Sequence, residues 1–503
     1  MKVIQPIFLV FYSLSILAQI ESESIFDRQS IPKDMQGSRG VAWGDLNHDG
    51  WPEIIVANQG PENRVSANHL YLNKSGKSYE ITDLLIDGEH WWSEGVYLID
   101  VDNDHDLDVF FATQFDNFNP LYFNNDGSLE PGDAGDLTKE KTNSQGACWC
   151  DYDLDGDLDA FVLNKNGADD LLYVNNGLGK FNRSKTGPWI GNGGDGRACA
   201  WGDLNNDSYP DLVVVSYGVR KNGEVVGKHR NYLYLSSGKG TYQEITEGHL
   251  VTEKNASYGV SLIDFDYDQD LDIFVTNISR SDVNYLYKND GNGNFTEPVE
   301  SALSDYTNRP SKGQTWGDFN NDGFLDVYIA NGTENFPEIQ NYLFLQNSDH
   351  SFKRIYSDVS VIDTNISAGV SSGDFNNDGR LDLFVCNWGG DAENNVLYTN
   401  VNAEGNWIKI NLIGSNSNSF GIGSWVIVNT KTQNGERLLT RHHSAANGYG
   451  SQNEPIIHFG LGNVTEIDYL EVKWPNGEVL RLQGIEPNKT YTITEGKGIV
   501  KDL

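Results

Sequence analysis

The sequence predicts an all-β protein, a seven-bladed β-propeller followed by a small β-sandwich-like domain, and two observations carry that prediction. A carboxylate-rich loop recurs seven times, starting at Asp45, Asp100, Asp151, Asp203, Asp264, Asp318 and Asp374, at spacings of 51 to 61 residues. From Asn406 the loop stops recurring, while strand patterns continue between Gly/Asn turns. A repeat of about 50 residues holds four short antiparallel strands, the size of one propeller blade.

The elements follow in order. Residues 1–18, M-K-V-I-Q-P-I-F-L-V-F-Y-S-L-S-I-L-A, give one Lys and then a mostly apolar run, the pattern of a secretory signal peptide. The run is short for a spanning helix, and no other segment could cross a membrane, so the mature chain is expected to carry no transmembrane helix. Residues 24–402 form the propeller. In each repeat a strand such as G-V-A-W-G from Gly40 precedes the loop, and an apolar strand such as E-I-I-V-A-N from Glu53 follows it. A third strand, such as N-H-L-Y-L-N from Asn68 or N-V-L-Y-T-N from Asn395, comes next. A Gly/Asn/Ser turn and a weaker fourth strand usually complete the unit. The seventh repeat lacks that last strand, while S-I-F-D-R from Ser24 precedes the first repeat unused. Residues near Phe26 are therefore predicted to close the ring as the outer strand of the last blade, which removes the exposed sheet edges. Residues 406–496, with strand patterns such as W-I-K-I-N-L-I and Y-L-E-V-K-W, form the separate β domain.

The loops set oxygen side chains at positions 1, 3, 5 and 9. These are Asp45, Asn47, Asp49 and Glu53; Asp100, Asp102, Asp104 and Asp108; Asp151, Asp153, Asp155 and Asp159; Asp203, Asn205, Asp207 and Asp211; Asp264, Asp266, Asp268 and Asp272; Asp318, Asn320, Asp322 and Asp326; and Asp374, Asn376, Asp378 and Asp382. A tight turn aims alternate carboxylates inward, adds the carbonyl of position 7 and closes with a carboxylate at position 9, which suits a hard divalent cation and calcium best. Up to seven calcium ions are expected, mainly structural, because a regulatory site rarely needs a copy in every blade. Position 6 favours a residue that tolerates positive φ. Gly50, Gly156, Gly323 and Gly379 meet that requirement, whereas His105, Ser208 and Gln269 make the second, fourth and fifth loops the least regular in expectation.

These loops resemble the FG-GAP and VCBS-type repeats of integrin alpha-subunit heads. G-I-G from Gly421, S-Q-N-E-P-I-I-H-F-G-L-G from Ser451 and W-P-N-G from Trp474 resemble the ASPIC/UnbV domain. A propeller followed by ASPIC/UnbV resembles the secreted cartilage acidic protein family and its bacterial relatives. No cysteine-rich EGF-like module follows, which points toward the bacterial type. The resemblance implies calcium, export and this domain order; it does not imply a ligand.

A formal net charge of -36 disfavours nucleic acid and anionic membrane surfaces as partners. The four cysteines read as buried thiols, with a Cys148–Cys199 bridge between neighbouring blades as the alternative. His442 and His443 read as a solvated pair on a β surface, and His90 beside Trp91 and Trp92 as an aromatic strand entry. No nucleophile elbow, zincin or Walker motif is present, and no catalytic residue is assigned. The expected function is therefore an exported calcium-binding recognition or adhesion module for an extracellular protein or glycan, with its oligomeric state open. A calcium-dependent polysaccharide-processing enzyme of lyase type, by fold analogy, and an envelope or matrix structural protein are the alternatives. In each blade the carboxylate loop shares a face with the turn between strands three and four. Recognition is expected on the opposite face, through Tyr217 to Arg230, Asn331 to Gln340, the run from Trp388, and connections carrying Trp91, Trp92 and Trp189.

Overall fold

The computed structural model describes residues 24–33, 37–59, 66–84, 92–218, 220–221, 224–225, 230–238, 240–279, 281–295, 298–304, 310–333, 339–389, 393–432 and 435–502. The predicted signal peptide, His90 and Trp91 lie outside them. Among the described residues seven sheets follow one another, one for each carboxylate loop. Their first strands are Ser38–Gly44, Ser93–Ile99, Ser144–Cys150, Gly196–Gly202, Ser257–Ile263, Ser311–Gly317 and Ser367–Gly373. Each pairs antiparallel with the strand after its loop, as Gly44 opposite Glu53 or Gly373 opposite Asp382. Each first strand also neighbours the first strands of the adjacent sheets, and the seventh neighbours the first, so the series is a closed ring.

The seam is where the sequence places it. Phe26–Gln29 is the outer strand of the seventh sheet, with Phe26 opposite Asn400 and Gln29 opposite Leu397. Phe26 is fully buried and meets Phe319 edge-on at 5.8 Å. Just before it, the Ile25 N–H donates to the Asp358 carboxylate at 2.6 Å.

The asparagines that recur in the third strand hold neighbouring blades together. The closing residue of the motif donates backward to the carbonyl at loop position 2 of the preceding blade. Asn124 Nδ2 reaches Leu46 O at 2.9 Å, Asn175 reaches Val101 O at 2.8 Å, and Asn73 reaches Phe375 O at 3.0 Å, which spans the seam. The opening asparagine donates forward to the serine that starts the next first strand: Asn68 to Ser93 at 3.0 Å, Asn341 to Ser367 at 3.0 Å, and Asn395 to Ser38 at 2.9 Å across the seam. Buried amides of this kind are retained because each donor left unpaired costs about 1–3 kcal/mol.

The carboxyl-terminal domain is a sandwich of two four-stranded sheets. One contains Asn406–Ile413, Ile457–Gly462, Lys489–Thr494 and Gly498–Asp502; the other contains Trp425–Thr432, Gly435–His442, Ile467–Lys473 and Val479–Leu482. Ile408, Ile410, Phe459 and Ile493 from the first sheet share a buried core with Val426, Val428, Leu439 and Val472 from the second. The domain sits over the carboxylate-loop face of the propeller, an arrangement that nothing in the local sequence pattern announces.

Between its two sheets the chain descends into the propeller's axial channel. Gly448 bridges Val260, the Val96 N–H donates to Gly450 O at 3.1 Å, and Gln452 pairs with both the N–H and the carbonyl of Leu98. The tip, Tyr449, is fully buried, with its hydroxyl on Glu94 and its ring 4.6 Å from that of Tyr258. Gly448 and Gly450 both have φ of 57, and a Cβ there would lie 2.3 Å from the Gln314 carbonyl oxygen and 2.7 Å from the Glu94 carbonyl oxygen. Only glycine fits a channel this tight at that dihedral.

Two readings of the sequence are corrected here. Cys148 and Cys199 form a disulfide between the first strands of the third and fourth blades, while Cys150 and Cys386 are the buried thiols. The bridged residues are offset by one place in adjacent first strands, Cys148 three residues before its carboxylate loop and Cys199 four before its own, with Cα atoms 5.8 Å apart, within ordinary bridging range. Trp189 does not belong to a recognition surface. It is buried in the core between Phe161, Tyr234 and Tyr242.

Candidate metal centres

All seven loops share one backbone. The carboxylate at position 1 accepts the N–H groups of positions 5 and 6, as Asp151 does from Asp155 at 2.9 Å and Gly156 at 3.0 Å, or Asp203 from Asp207 at 3.1 Å and Ser208 at 2.8 Å. Position 4 is left-handed throughout, from His48 to Asn377, and so is position 6. His105, Ser208 and Gln269 take φ of 74, 71 and 71 there, beside 84 for Gly50 and 81 for Gly379. The second, fourth and fifth loops therefore keep the shape of the glycine loops, contrary to the irregularity expected of them. The two hydrogen bonds to position 1 hold the strained residue in place.

Position 9 is a staple. The Asp108 carboxylate accepts the Val101 N–H at 2.9 Å and the Asn124 N–H at 2.8 Å, joining the loop to the third strand. The same pair of bonds is made by Asp159, Asp211, Asp272, Asp326, Asp382 and the longer Glu53.

Position 3 divides the loops into two classes. In the second, third and fifth, three carboxylates at positions 1, 3 and 9 converge: Asp100, Asp102 and Asp108; Asp151, Asp153 and Asp159; Asp264, Asp266 and Asp272, with one oxygen of each within 4.8 Å of the others. Asp102, Asp153 and Asp266 each keep a buried Oδ1 without a hydrogen-bond partner. Carboxylate oxygens left this way are costly unless a cation joins them, so these residues fit a hard divalent ion. In the fourth, sixth and seventh loops position 3 is Asn, and its amide donates to position 5: Asn205 to Asp207 at 3.1 Å, Asn320 to Asp322 at 3.0 Å and Asn376 to Asp378 at 3.0 Å. In the first, Asn47 Oδ1 accepts the Asp49 N–H at 3.0 Å.

Burial raises carboxylates in both classes of loop, Asp211 to about 8 and Asp318 to about 7 among those with Asn at position 3. Burial first, and then repulsion by Asp104 and Asp100, raises Asp102 to about 6; burial raises Asp108 to about 8, Asp151 to about 7 and Asp272 to about 8. A bound cation supplies the charge that returns such groups to their ionised form. At the fifth loop Lys288 already approaches Asp266 and lies 3.0 Å from Asp268.

The carboxyl-terminal domain adds side chains to three loops, which the sequence did not reveal. The Lys409 ammonium lies 2.7 Å from Asp374 Oδ2 and 2.8 Å from Asn377 Oδ1; the Thr440 hydroxyl donates to Asp264 at 2.6 Å; Arg437 donates to the Asp322 carbonyl at 2.9 Å. His442 and His443 lie in this interface rather than in solvent. Burial pushes them down to about 4 and about 3, so both are neutral at pH 7.

On the opposite face, Trp388 is half-buried, with the Arg39 guanidinium 3.8 Å and the Lys312 ammonium 4.1 Å from its ring centroid. Trp92 meets the exposed Phe115 edge-on at 4.7 Å.

A family model described as FG-GAP-like repeat matches residues 45–111, 100–162, 151–214, 264–329 and 318–385. Each match begins at the first carboxylate of one loop and runs through the next, so together they include all seven. A model described as ASPIC and UnbV matches residues 414–500. Cartilage acidic protein 1 of Mus musculus is 24% identical over 469 residues, covering 77% of this chain and 71% of its own length. The Homo sapiens protein of that name is 23% identical over 469 residues, covering 77% and 69%. The solved Dos1 propeller aligns at 13% identity with a TM-score of 0.46 over 75% of this chain and 96% of its own.

Proposed function

The chain belongs to the FG-GAP-like repeat family, and from that premise we propose that it is an exported, calcium-loaded recognition module that binds an extracellular protein or glycan. The ligand meets the propeller face opposite the carboxylate loops. One observation carries this reading: the carboxyl-terminal domain covers the loop face, tied to it through Lys409, Thr440 and Arg437, and fills the channel as far as Tyr449. The opposite face receives the connections between second and third strands, and Trp388, Trp92 and Phe115 stand there on a rigid ring. Calcium holds the loops, and the loops hold the ring. Among the described residues no helix is long and apolar enough to cross a membrane.

A glycan and protein array probed with and without calcium tests the reading. Trp388→Ala, and shortening of the Tyr217 to Arg230 segment, should abolish the signal while leaving the melting temperature within a degree or two. A ligand footprint confined to the carboxylate-loop face would overturn the assignment. As a binder rather than a catalyst, the protein should also leave polysaccharides intact; new unsaturated ends after incubation would make it a lyase.

A further inference from the structure

A cavity of about 310 Å³ lies between the third and fourth blades and the carboxyl-terminal sandwich, on the face away from Trp388. Trp149 and Trp201 line it from the propeller, and Trp425, Trp474, His442 and His443 from the sandwich. His442 and His443 also line a second interface cavity, with Thr440, Arg441 and His458. Trp474 Nε1 and His443 Nε2 are buried without a hydrogen-bond partner, in side chains 3% and 6% exposed, and so is His442 Nδ1. Trp149 Nε1 and Trp201 Nε1 share that condition, as do the equivalent indoles of Trp43 and Trp316; what sets this cleft apart is that four indoles and two imidazoles line it together.

We propose that this cleft is a binding site for one neutral sugar residue, separate from the opposite-face site and independent of it. The Phe420 backbone beside His443 favours a proton on the near ring nitrogen, and Nε2 is buried without a partner, which leaves it as an acceptor. The indole of Trp474 is a donor only. A hydroxyl is both donor and acceptor, so a polyhydroxylated ring satisfies the two kinds of group together, and its C–H faces match the flat indoles. Charged ligands match less well. Both histidines are neutral at pH 7 and offer an anion no charge, Asp151 and Asp203 are committed to their loops, and Lys473 opposes a cation. The volume is at the lower end of small-molecule pockets, about 300 Å³, which suits one ring and not an extended chain.

The test uses the full calcium-loaded chain and methyl glycosides of neutral hexoses and N-acetylhexosamines. At least one should give saturable saturation-transfer NMR signals and, because four indoles line the cleft, a matching change in tryptophan emission. Trp474→Phe and His443→Asn should each weaken that glycoside at least tenfold, and Trp388→Ala should leave it unchanged. The proposal is overturned by the absence of saturable binding to every probe, by binding without an emission change, by equal affinity in both cleft variants, or by a preference for uronic or sialic acid glycosides. The two wild-type measurements decide the matter even where a variant fails to fold.

Discussion

The ammonium of Lys409 lies 2.7 Å from Oδ2 of Asp374, and both side chains are almost wholly removed from solvent, at 3% and 0% exposure. The pair joins the first strand of the carboxyl-terminal sandwich to the seventh carboxylate loop. Burying two charges is costly, so the pair adds little against an apolar substitute, but breaking it from one side strands a buried charge at a cost of about 3–5 kcal/mol. Lys409→Met should therefore lower thermal stability sharply. Lys409→Arg, which keeps a cation within reach of the carboxylate, should lose less. A Lys409→Met chain as stable as the parent would show that the interface does not depend on this contact.

Metal removal gives the second prediction. An ion held only by the folded state adds about 2.7 kcal/mol per site at a hundredfold excess over its Kd, so chelation should lower the melting temperature substantially. The loops whose position 3 is Asp should hold their ions most tightly, since Asp102, Asp153 and Asp266 present oxygens with no other partner. Asp153→Ala should remove one tight ion and destabilise the ring, whereas Asn205→Ala should affect only a weaker step in the calcium titration. Metal analysis finding one ion or none in calcium-purified protein would sink this account.

The repeat pattern made the propeller, its loops and its seam legible, because period-2 strands and an identical loop seven times over leave few architectures. Even the asparagines of N-H-L-Y-L-N were visible as a motif, although their role as ties between blades required the fold. What stayed hidden was interaction between distant segments. Lys409 stands in W-I-K-I-N-L-I with the alternation of any half-buried strand, and nothing local says that its partner is Asp374. Cys148 and Cys199 stand in consecutive repeats one place out of step, and pairing depends on how the two first strands face each other. Trp189 sat in a P-W-I turn that read as surface, while the ring packs against Phe161, Tyr234 and Tyr242.

Closure of the ring gives the third prediction. Deleting residues 24–30 removes the outer strand of the seventh sheet, exposes the edge from Leu397 to Asn400, and leaves the Asp358 carboxylate without the N–H groups of Ile25 and Phe26. The loss of Phe26 alone, fully buried against Phe319, resembles a large-to-small core substitution worth about 3–5 kcal/mol. The truncated chain should unfold at lower denaturant and self-associate through the open edge. Unchanged stability after the deletion would mean that another segment closes the ring.

The last prediction concerns acid. Burial holds His443 and His458 at about 3, well below the ordinary histidine value near 6.5, so in the folded protein both stay neutral where an unfolded chain would bind protons. The unfolded state then carries more protons at every pH between those limits, and stability falls as pH drops below about 6.5. The slope is about 1.4 kcal/mol per pH unit for each histidine. His458 is placed so that protonation has no outlet: Nε2 is 3.0 Å from the Gly379 carbonyl, Nδ1 is buried without a partner, and Arg441 and Lys409 stand close enough to oppose a positive charge. Both histidines belong to the sandwich and face the propeller, so the first structure to yield should be the interface. Between pH 6.5 and 5, with calcium saturating, protease sensitivity should rise in the stretch joining the two domains before the propeller melts, and His443→Asn with His458→Asn should flatten that dependence. A pH profile that is the same with and without the two histidines would show that the interface does not sense acid through them.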